Sequence, residues 1–289
     1  MDVNNLSAFL AIVETQSFSA AAERLYLTQP AISKRIAALE TSLDVKLFHR
    51  IGRSVQLTEA GEALTDSARR IVDEFSRARE RVTTLHGEVA GRLRIGTSHH
   101  IGLHRLPPVL REFTQHFPGV ELDIHFMDSE DACAAVERGK LELAVATLPE
   151  SPFERLETME IWPDPLDFVV DANHALTESN QYAAADLAQH RAILPARGTV
   201  TREILDKALL PHNLRLSVTM ETNYLETIKM MVSVGLGWSL LPRSMADDLV
   251  KLNVDIPILA RRLGVAWVKN RDLSNAATTF VECCTKFKS

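Results

Sequence analysis

Ser17–Leu39 reads SFSAAAERLYLTQPAISKRIAAL, two short helices joined by a tight turn. The first is expected to open at Ser19, whose hydroxyl caps free backbone N–H groups, and to run through the strong helix formers Ala20, Ala21, Ala22, Glu23, Arg24 and Leu25. The second opens at Thr28. Its Pro30 falls in the first turn, where a missing N–H costs little, and Ile32, Ile36 and Leu39 recur on one face as a stripe to be buried. The opposite face carries Gln29, Pro30, Ser33 and Lys34. A DNA recognition helix divides its labour in this way: N-terminal residues reach base edges in the major groove while the back packs on other helices. An ordinary amphipathic hairpin with a solvated polar face has the same spacing, so the flanking sequence decides between them.

Upstream, Leu6, Phe9, Leu10 and Val13 stand at i, i+3, i+4 and i+7, so a third helix can close a small core. Downstream, KLFHRIGRSVQLTEAG supplies Leu47 and Phe48 to plug that core, Gly52 to turn the chain, and a two-stranded wing with Arg50 and Arg53 near its tip. From Arg24 to Arg53 there are six Lys and Arg against two acids, Glu40 and Asp44. Such a local surplus, in a chain of net charge −6, suits contact with phosphates.

Three segments, FSAAAERLYLTQPAISKRIAALE, LFHR and RSVQLTEAG, in this order and spacing near the N-terminus, resemble the LysR-type transcriptional regulators of bacteria. The resemblance extends along the whole chain. It implies that Thr28, Gln29, Pro30, Ser33, Lys34 and Arg35 face double-stranded promoter DNA from the recognition helix, with Arg50 and Arg53 on the wing. Two departures are Tyr26-Leu27 in the turn and Thr28 where the family often has Ser. Both hydroxyls cap helices, so the chemistry is unchanged.

At 289 residues the chain is long enough for two or three domains. Residues 1–90 hold 11 basic and 12 acidic residues, and 91–289 hold 21 and 26, so the basic character is confined to one patch. The start, MDVNNLSAFL, lacks a basic region followed by an apolar one, and no apolar run approaches a membrane span. Three cysteines, Cys133, Cys283 and Cys284, have no metal spacing, and a reducing cytoplasm is the expected setting.

From Thr58 one long helix is expected. Ala60, Leu64, Ala68, Ile71, Phe75, Ala78, Val82 and Leu85 form an a/d seam, with charged residues outside it. Such a seam packs either on a partner helix or on the chain's own effector domain. The family resemblance implies the former, a dimerisation helix with Leu64, Ala68, Ile71, Phe75 and Val82 in the contact. Gly87 and Gly91 then end the helix.

Beyond Arg92 strands and helices alternate. Strand RLRIGT, a helix from Gly102 to Phe117, strand VELDIHF, a helix from Ser129 to Arg138 and strand LELAVAT form one run. Strand AILP, a helix from Thr199 to Leu210, strand LSVTME, a helix from Tyr224 to Val234 and strand GWSLLP form another. Two α/β lobes are expected, connected by extended segments near Trp162–Val170 and Val265–Lys269, with a ligand crevice at the carboxyl ends of the strands. The fold class is α/β with an N-terminal all-α winged helix-turn-helix, a long linker helix, and a two-lobed effector domain like the periplasmic binding proteins. The expected divisions are 1–58 for the head, 59–87 for the linker helix and 88–289 for the effector domain, with lobe I about 92–161 and 268–289 and lobe II about 162–267.

The crevice ends are Thr97-Ser98-His99-His100 and Arg197-Gly198-Thr199-Val200-Thr201, each directly before a helix. Helix N-termini attract anions, so a small carboxylate or oxyanion is the expected effector. The family resemblance places effectors between the lobes too, with Thr147 as a further wall residue. Ser98, Thr199 and Thr201 also read as plain helix caps, a role compatible with ligand contact. His99, His100 and His104 invite a metal site, but adjacent histidines point apart and no carboxylate or Cys stands beside them at ligand spacing. No metal or cofactor is therefore expected. Some members of the family sense peroxide through two cysteines in the second lobe; this chain has none there. No Walker loop, G-x-S-x-G, H-E-x-x-H or Gly-rich dinucleotide turn is present, which argues against an enzyme.

The expected protein is thus a cytoplasmic, effector-modulated regulator, a homodimer or homotetramer on promoter DNA, with RNA polymerase as a further partner and no membrane attachment. An architectural DNA binder without ligand, and a small-molecule binder with an inactive head, are the alternatives.

Overall fold

The computed structural model describes residues 2–51, 54–83, 89–150 and 154–288. The chain divides into two compact units with the boundary at Glu88 and Val89.

The first unit contains α1 (Val3–Thr15), α2 (Phe18–Arg24), α3 (Gln29–Leu43), a hairpin of β1 (Phe48–Ile51) and β2 (Ser54–Leu57), and α4 (Glu59–Thr83). Helix α2 is capped by Ser17, two residues earlier than the Ser19 expected, because Phe18 must enter the helix to bury its ring 5.8 Å from that of Phe48. The turn after α2 holds Tyr26 at φ 55. Helix α3 opens as expected, with Thr28 as N-cap and Pro30 in the first turn. Leu6, Phe9, Ile12, Ile32, Ile36, Leu39 and Leu47 form the core that these elements share.

Helix α4 departs from a seam reserved for another molecule. Ala68 is fully buried in the head's own core, and Ala60, Leu64 and Val72 pack against it, whereas Ile71 and Phe75 are 38% and 54% exposed. An a/d repeat specifies an apolar stripe without specifying what covers it, and here the first turns of the stripe are covered by α1 and the wing base. The side chain of Val82, and Leu85 and Gly87 altogether, lie outside the described residues.

The second unit runs β3 (Gly91–Thr97), α5 (His99–His104), α6 (Leu106–His116), β4 (Val120–Phe126), α7 (Ser129–Glu137), β5 (Leu143–Leu148), β6 (Leu156–Val170), α8 (Ala184–Ala188), β7 (Arg191–Leu194), α9 (Val200–Leu209), β8 (Ser217–Glu221), α10 (Leu225–Ser233), β9 (Ser239–Pro242), β10 (Val250–Leu252), β11 (Leu259–Val268) and α11 (Asn275–Lys286). The single helix expected from Gly102 to Phe117 is two. Pro107 and Pro108 fall in the first turn of α6, where they are tolerated, but could not continue a helix from α5.

In lobe I, β3 pairs in parallel with β4 and β5, and β5, covered on both faces, is buried throughout. In lobe II, β7 pairs in parallel with β8. The lobes share β6 and β11, which run antiparallel: β11 adds to β5 through Arg262–Ala266, and β6 adds to β9 and β10 through Leu166–Val170. Strand β11 therefore enters the lobe I sheet at Arg262, several residues before the lobe boundary expected near 268. Lobe I packs around Phe113, Trp162 and Phe280 and lobe II around Leu187, Leu205 and Trp238. No helix among the described residues is long and apolar enough to cross a membrane.

Candidate functional site

In the head, the buried stripe of Ile32, Ile36 and Leu39 turns the N-terminal face of α3 outward. Thr28 Oγ1 accepts from the Ala31 N–H at 3.4 Å, fixing the start of the helix. Gln29, Pro30 and Lys34 are exposed, and Ser33 is half-buried beside them. Arg35 differs from expectation: it is half-buried, and its Nη1 donates to the Asn4 carbonyl at 3.4 Å, so it ties α3 to the start of α1. Arg50 lies on β1 with its side chain outside the described residues, and Arg53 lies outside them altogether.

The positive surplus is one smaller than the count from Arg24 to Arg53, because Glu14, outside that stretch, pairs with Arg24. Arg24 pairs with Glu14 at 2.6 Å and Lys46 with Glu40 at 2.7 Å. Burial alone would raise the Glu40 carboxyl, but the bonds from Lys46 and from the Leu47 and Phe48 N–H groups hold it below its ordinary value. Among the described residues no carboxylate pairs with Lys34, which leaves its ammonium available on the outward face.

In the second unit, the crevice between the lobes holds a narrow cavity of about 50 Å³. From lobe I come Ser98, His99, His100 and Thr147, together with Asp128, Ser129 and Glu130; from lobe II come Thr199, Thr201, Asn223 and Arg261. Thr97, at the end of β3, is fully buried just behind this wall. Ser98 caps α5 by accepting from the Ile101 N–H at 3.4 Å. Thr199 caps α9, accepting from the Arg202 N–H at 3.4 Å and donating to the Ala196 carbonyl at 2.9 Å. The Thr147 N–H donates to Ser129 Oγ at 3.0 Å. Arg197 is not in the crevice: it is exposed and lines a separate hollow with Asp206, Leu210 and Asn213. Gly198 follows it at φ 89, and that turn carries the Arg197 side chain away from the cavity.

The polar groups of the crevice bind one another, two of the pairs across the lobes. Glu130 Oε1 accepts from the Val200 N–H at 2.9 Å, placing a lobe I carboxylate on the N-terminus of α9. Asn223 Nδ2 donates to Asp128 Oδ2 at 2.6 Å while its Oδ1 accepts from the Ala196 N–H at 3.0 Å. Arg261, 5% exposed, donates from Nη1 to Thr201 at 3.0 Å and from Nε and Nη2 to Asp164 Oδ2 at 2.9 and 2.5 Å. Removing one member of so buried a pair leaves an uncompensated charge, at about 3–5 kcal/mol.

The His99 ring meets those of Phe126 and Tyr224 in tilted contacts, with centroids at 5.2 and 4.9 Å. His100 is buried, and burial, then the fields of Arg261 and His104, pull its imidazole down to about 3 against an opposing push from Glu226. The ring is therefore neutral at neutral pH. All three cysteines are buried, and burial pushes the Cys133 thiol up to about 12 and the Cys283 and Cys284 thiols up as well. Protonated, enclosed thiols are poor nucleophiles.

Asp128 and Asn223 were legible by the rule that nominated Ser98, since they follow strands VELDIHF and LSVTME directly before helices. Arg261, on an antiparallel strand that crosses between the lobes, carried no local signal.

Comparison with known proteins agrees with both halves of this description. Among curated relatives, the probable RuBisCO transcriptional regulator of Trichormus variabilis is 31% identical over 293 residues, covering 96% of this chain and 86% of its own. Among solved structures, a full-length OxyR variant from Pseudomonas aeruginosa superposes with a TM-score of 0.76 at 23% identity, covering 100% of this chain and 94% of that one. The regulatory domain of Synechocystis CcmR in complex with 2-PG gives a TM-score of 0.62 at 24% identity, covering 69% of this chain and 98% of that one. Residues 3–62 match the family described as bacterial regulatory helix-turn-helix protein, lysR family, and residues 86–288 match the LysR substrate binding domain. A winged head built on α3, followed by a two-lobed domain with its crevice at the strand ends, belongs to the LysR family of bacterial transcriptional regulators.

Proposed function

We propose that this regulator reads promoter DNA with the N-terminal turn of α3, pairs with a second copy through the distal half of α4, and responds to a small anion in the interlobe crevice. The observation that carries the DNA reading is the outward face of α3, where Gln29, Pro30, Ser33 and Lys34 stand over a helix back that is fully buried. Ser33 and Gln29 have the reach and chemistry for base edges, and Lys34 that for a phosphate. Arg50 and Arg53 add wing contacts to the backbone. The site of action is the cytoplasm, with RNA polymerase as the neighbour at the promoter.

An anionic effector is supported by the chain itself, because α9 already holds a carboxylate, that of Glu130, on its first free N–H. An effector carboxylate or oxyanion between Ser98, Thr147 and Thr201 competes for that donor, releases Glu130, and loosens one lobe from the other. The 2-PG held by the regulatory domain of CcmR, of the same fold, is consistent with this chemistry. A cavity of about 50 Å³ admits a few water-sized groups, so a larger effector requires the lobes to part. The effector acts as a switch only in so far as it binds one lobe arrangement better than the other.

Three outcomes follow. Ser33→Ala weakens binding to the specific operator by about tenfold with little change on scrambled DNA, and Lys34→Ala weakens both and flattens the log-log salt slope by about 0.9; unchanged binding in both variants removes α3 as the reader. In a thermal-shift screen of small carboxylates and oxyanions, Ser98→Ala requires a higher concentration for the same stabilisation while operator affinity is kept, and an unaltered titration contradicts the crevice. Phe75→Glu, at an exposed position of α4, sediments as a monomer, whereas a dimeric mass refutes pairing through this face.

A further inference from the structure

A second cluster, distinct from the hydroxyls and N–H groups of the anion site, joins the two lobes. His100 and His104 stand one helical turn apart on α5 of lobe I and face Glu226 on α10 of lobe II. His104 Nε2 lies 3.1 Å from Glu226 Oε1, His100 Nδ1 lies 3.7 Å from the same oxygen, and the two imidazole centroids are 4.9 Å apart. Taking one donor atom from each residue, no pair is more than 4.8 Å apart.

These separations are those of a coordination shell. Zinc bonds of about 2.0–2.1 Å to nitrogen and oxygen in a tetrahedron give donor–donor edges of about 3.3 Å, which the two shorter separations bracket. His100 is 4% exposed, and both its ring nitrogens are enclosed without a hydrogen-bond partner. A buried polar group left so carries an uncompensated desolvation penalty that a bound ion would relieve. The nearby guanidinium groups of Arg261 and Arg105 are directed onto the Asp164 carboxylate, at 2.5 and 3.5 Å, which offsets their repulsion of a cation. The sequence set metal aside for want of a carboxylate beside the histidines; the fold brings one from 122 residues away.

We propose that His100, His104 and Glu226 form a binding site for a divalent transition-metal ion of the zinc class, joining lobe I to lobe II. Two imidazoles and one carboxylate suit such ions over calcium or magnesium, and the histidines stand at the i, i+4 spacing that lets one helix face supply two ligands. Three protein ligands leave a fourth position open to water or to a donor from another molecule. Because the ligands come from both lobes, the ion binds the closed arrangement and stabilises it. The site needs no effector and does not depend on the DNA reading, although His100 also lines the crevice.

The test uses untagged full-length protein with Co²⁺ and Zn²⁺ as the probes. One equivalent of Co²⁺ per chain is expected, with the intense visible absorption of tetrahedral nitrogen and oxygen ligation, displaced by Zn²⁺, and Zn²⁺ raises the unfolding midpoint. His104→Ala and Glu226→Gln, at positions open enough to accept the change, each weaken binding by at least about tenfold and abolish the rise in midpoint. His116→Ala, which alters a separate surface pair with Glu112, binds as the parent does. Absence of stoichiometric Co²⁺ and Zn²⁺ binding in the parent overturns the proposal, as does undiminished binding in His104→Ala and Glu226→Gln.

Discussion

Strands β6 and β11 run antiparallel over ten residue pairs, and each lobe is built outward from this ribbon. Lobe I extends it through β5, β3 and β4; lobe II extends it through β9 and β10. The register shifts between Leu263 and Gly264, where a Cβ on Gly264 would stand 2.1 Å from the Met159 carbonyl oxygen, so the strands approach this closely only with glycine at that position. A two-stranded ribbon is a thin joint compared with the packed cores on either side, and small changes in its twist move the lobes as bodies. The crevice depends on that joint, because its two walls belong to the lobes the ribbon connects.

Among the described residues, the crevice walls are joined by Glu130 to the Val200 N–H, Asp128 to Asn223, and His104 to Glu226. Each joins a charged or strongly polar group of one lobe to the other, and none is deeply buried at both ends. Such bonds contribute about 0.5–3 kcal/mol each, which is the range a small ligand can match. The buried Arg261–Asp164 pair behaves differently. It lies within the framework and is too costly to break for a ligand to exchange with it. A regulator needs both kinds of contact, a fixed frame and a latch comparable in strength to its effector.

The parts of the molecule that were legible in the sequence are those whose partners lie within a few residues. Thr28, Pro30 and the stripe of Ile32, Ile36 and Leu39 specify α3 by spacing alone, and the hydroxyls of Ser98 and Thr199 cap the helices they precede. Where partners are distant, spacing was silent or misleading. Glu130 meets Val200 across 70 residues and Glu226 meets His104 across 122, so neither carboxylate stood out. Arg197 was nominated by its place in the chain, but the turn at Gly198 sends it elsewhere. The stripe on α4 announced an apolar face, yet periodicity did not distinguish burial in the head, where Ala68 resides, from exposure, where Phe75 stands. The charge count of the head missed Glu14, which lies outside the stretch counted and pairs with Arg24.

Helix α3 is proposed to read a specific promoter sequence from a chain whose overall charge is unfavourable to DNA. The decisive experiment titrates the full-length protein, over a series of salt concentrations, against the DNA upstream of its own gene and against a scrambled duplex of equal length. Binding is expected to be tighter to the upstream DNA at every salt concentration, with affinity for both falling steeply as salt rises. Equal, weak binding to the two duplexes throughout would contradict that reading.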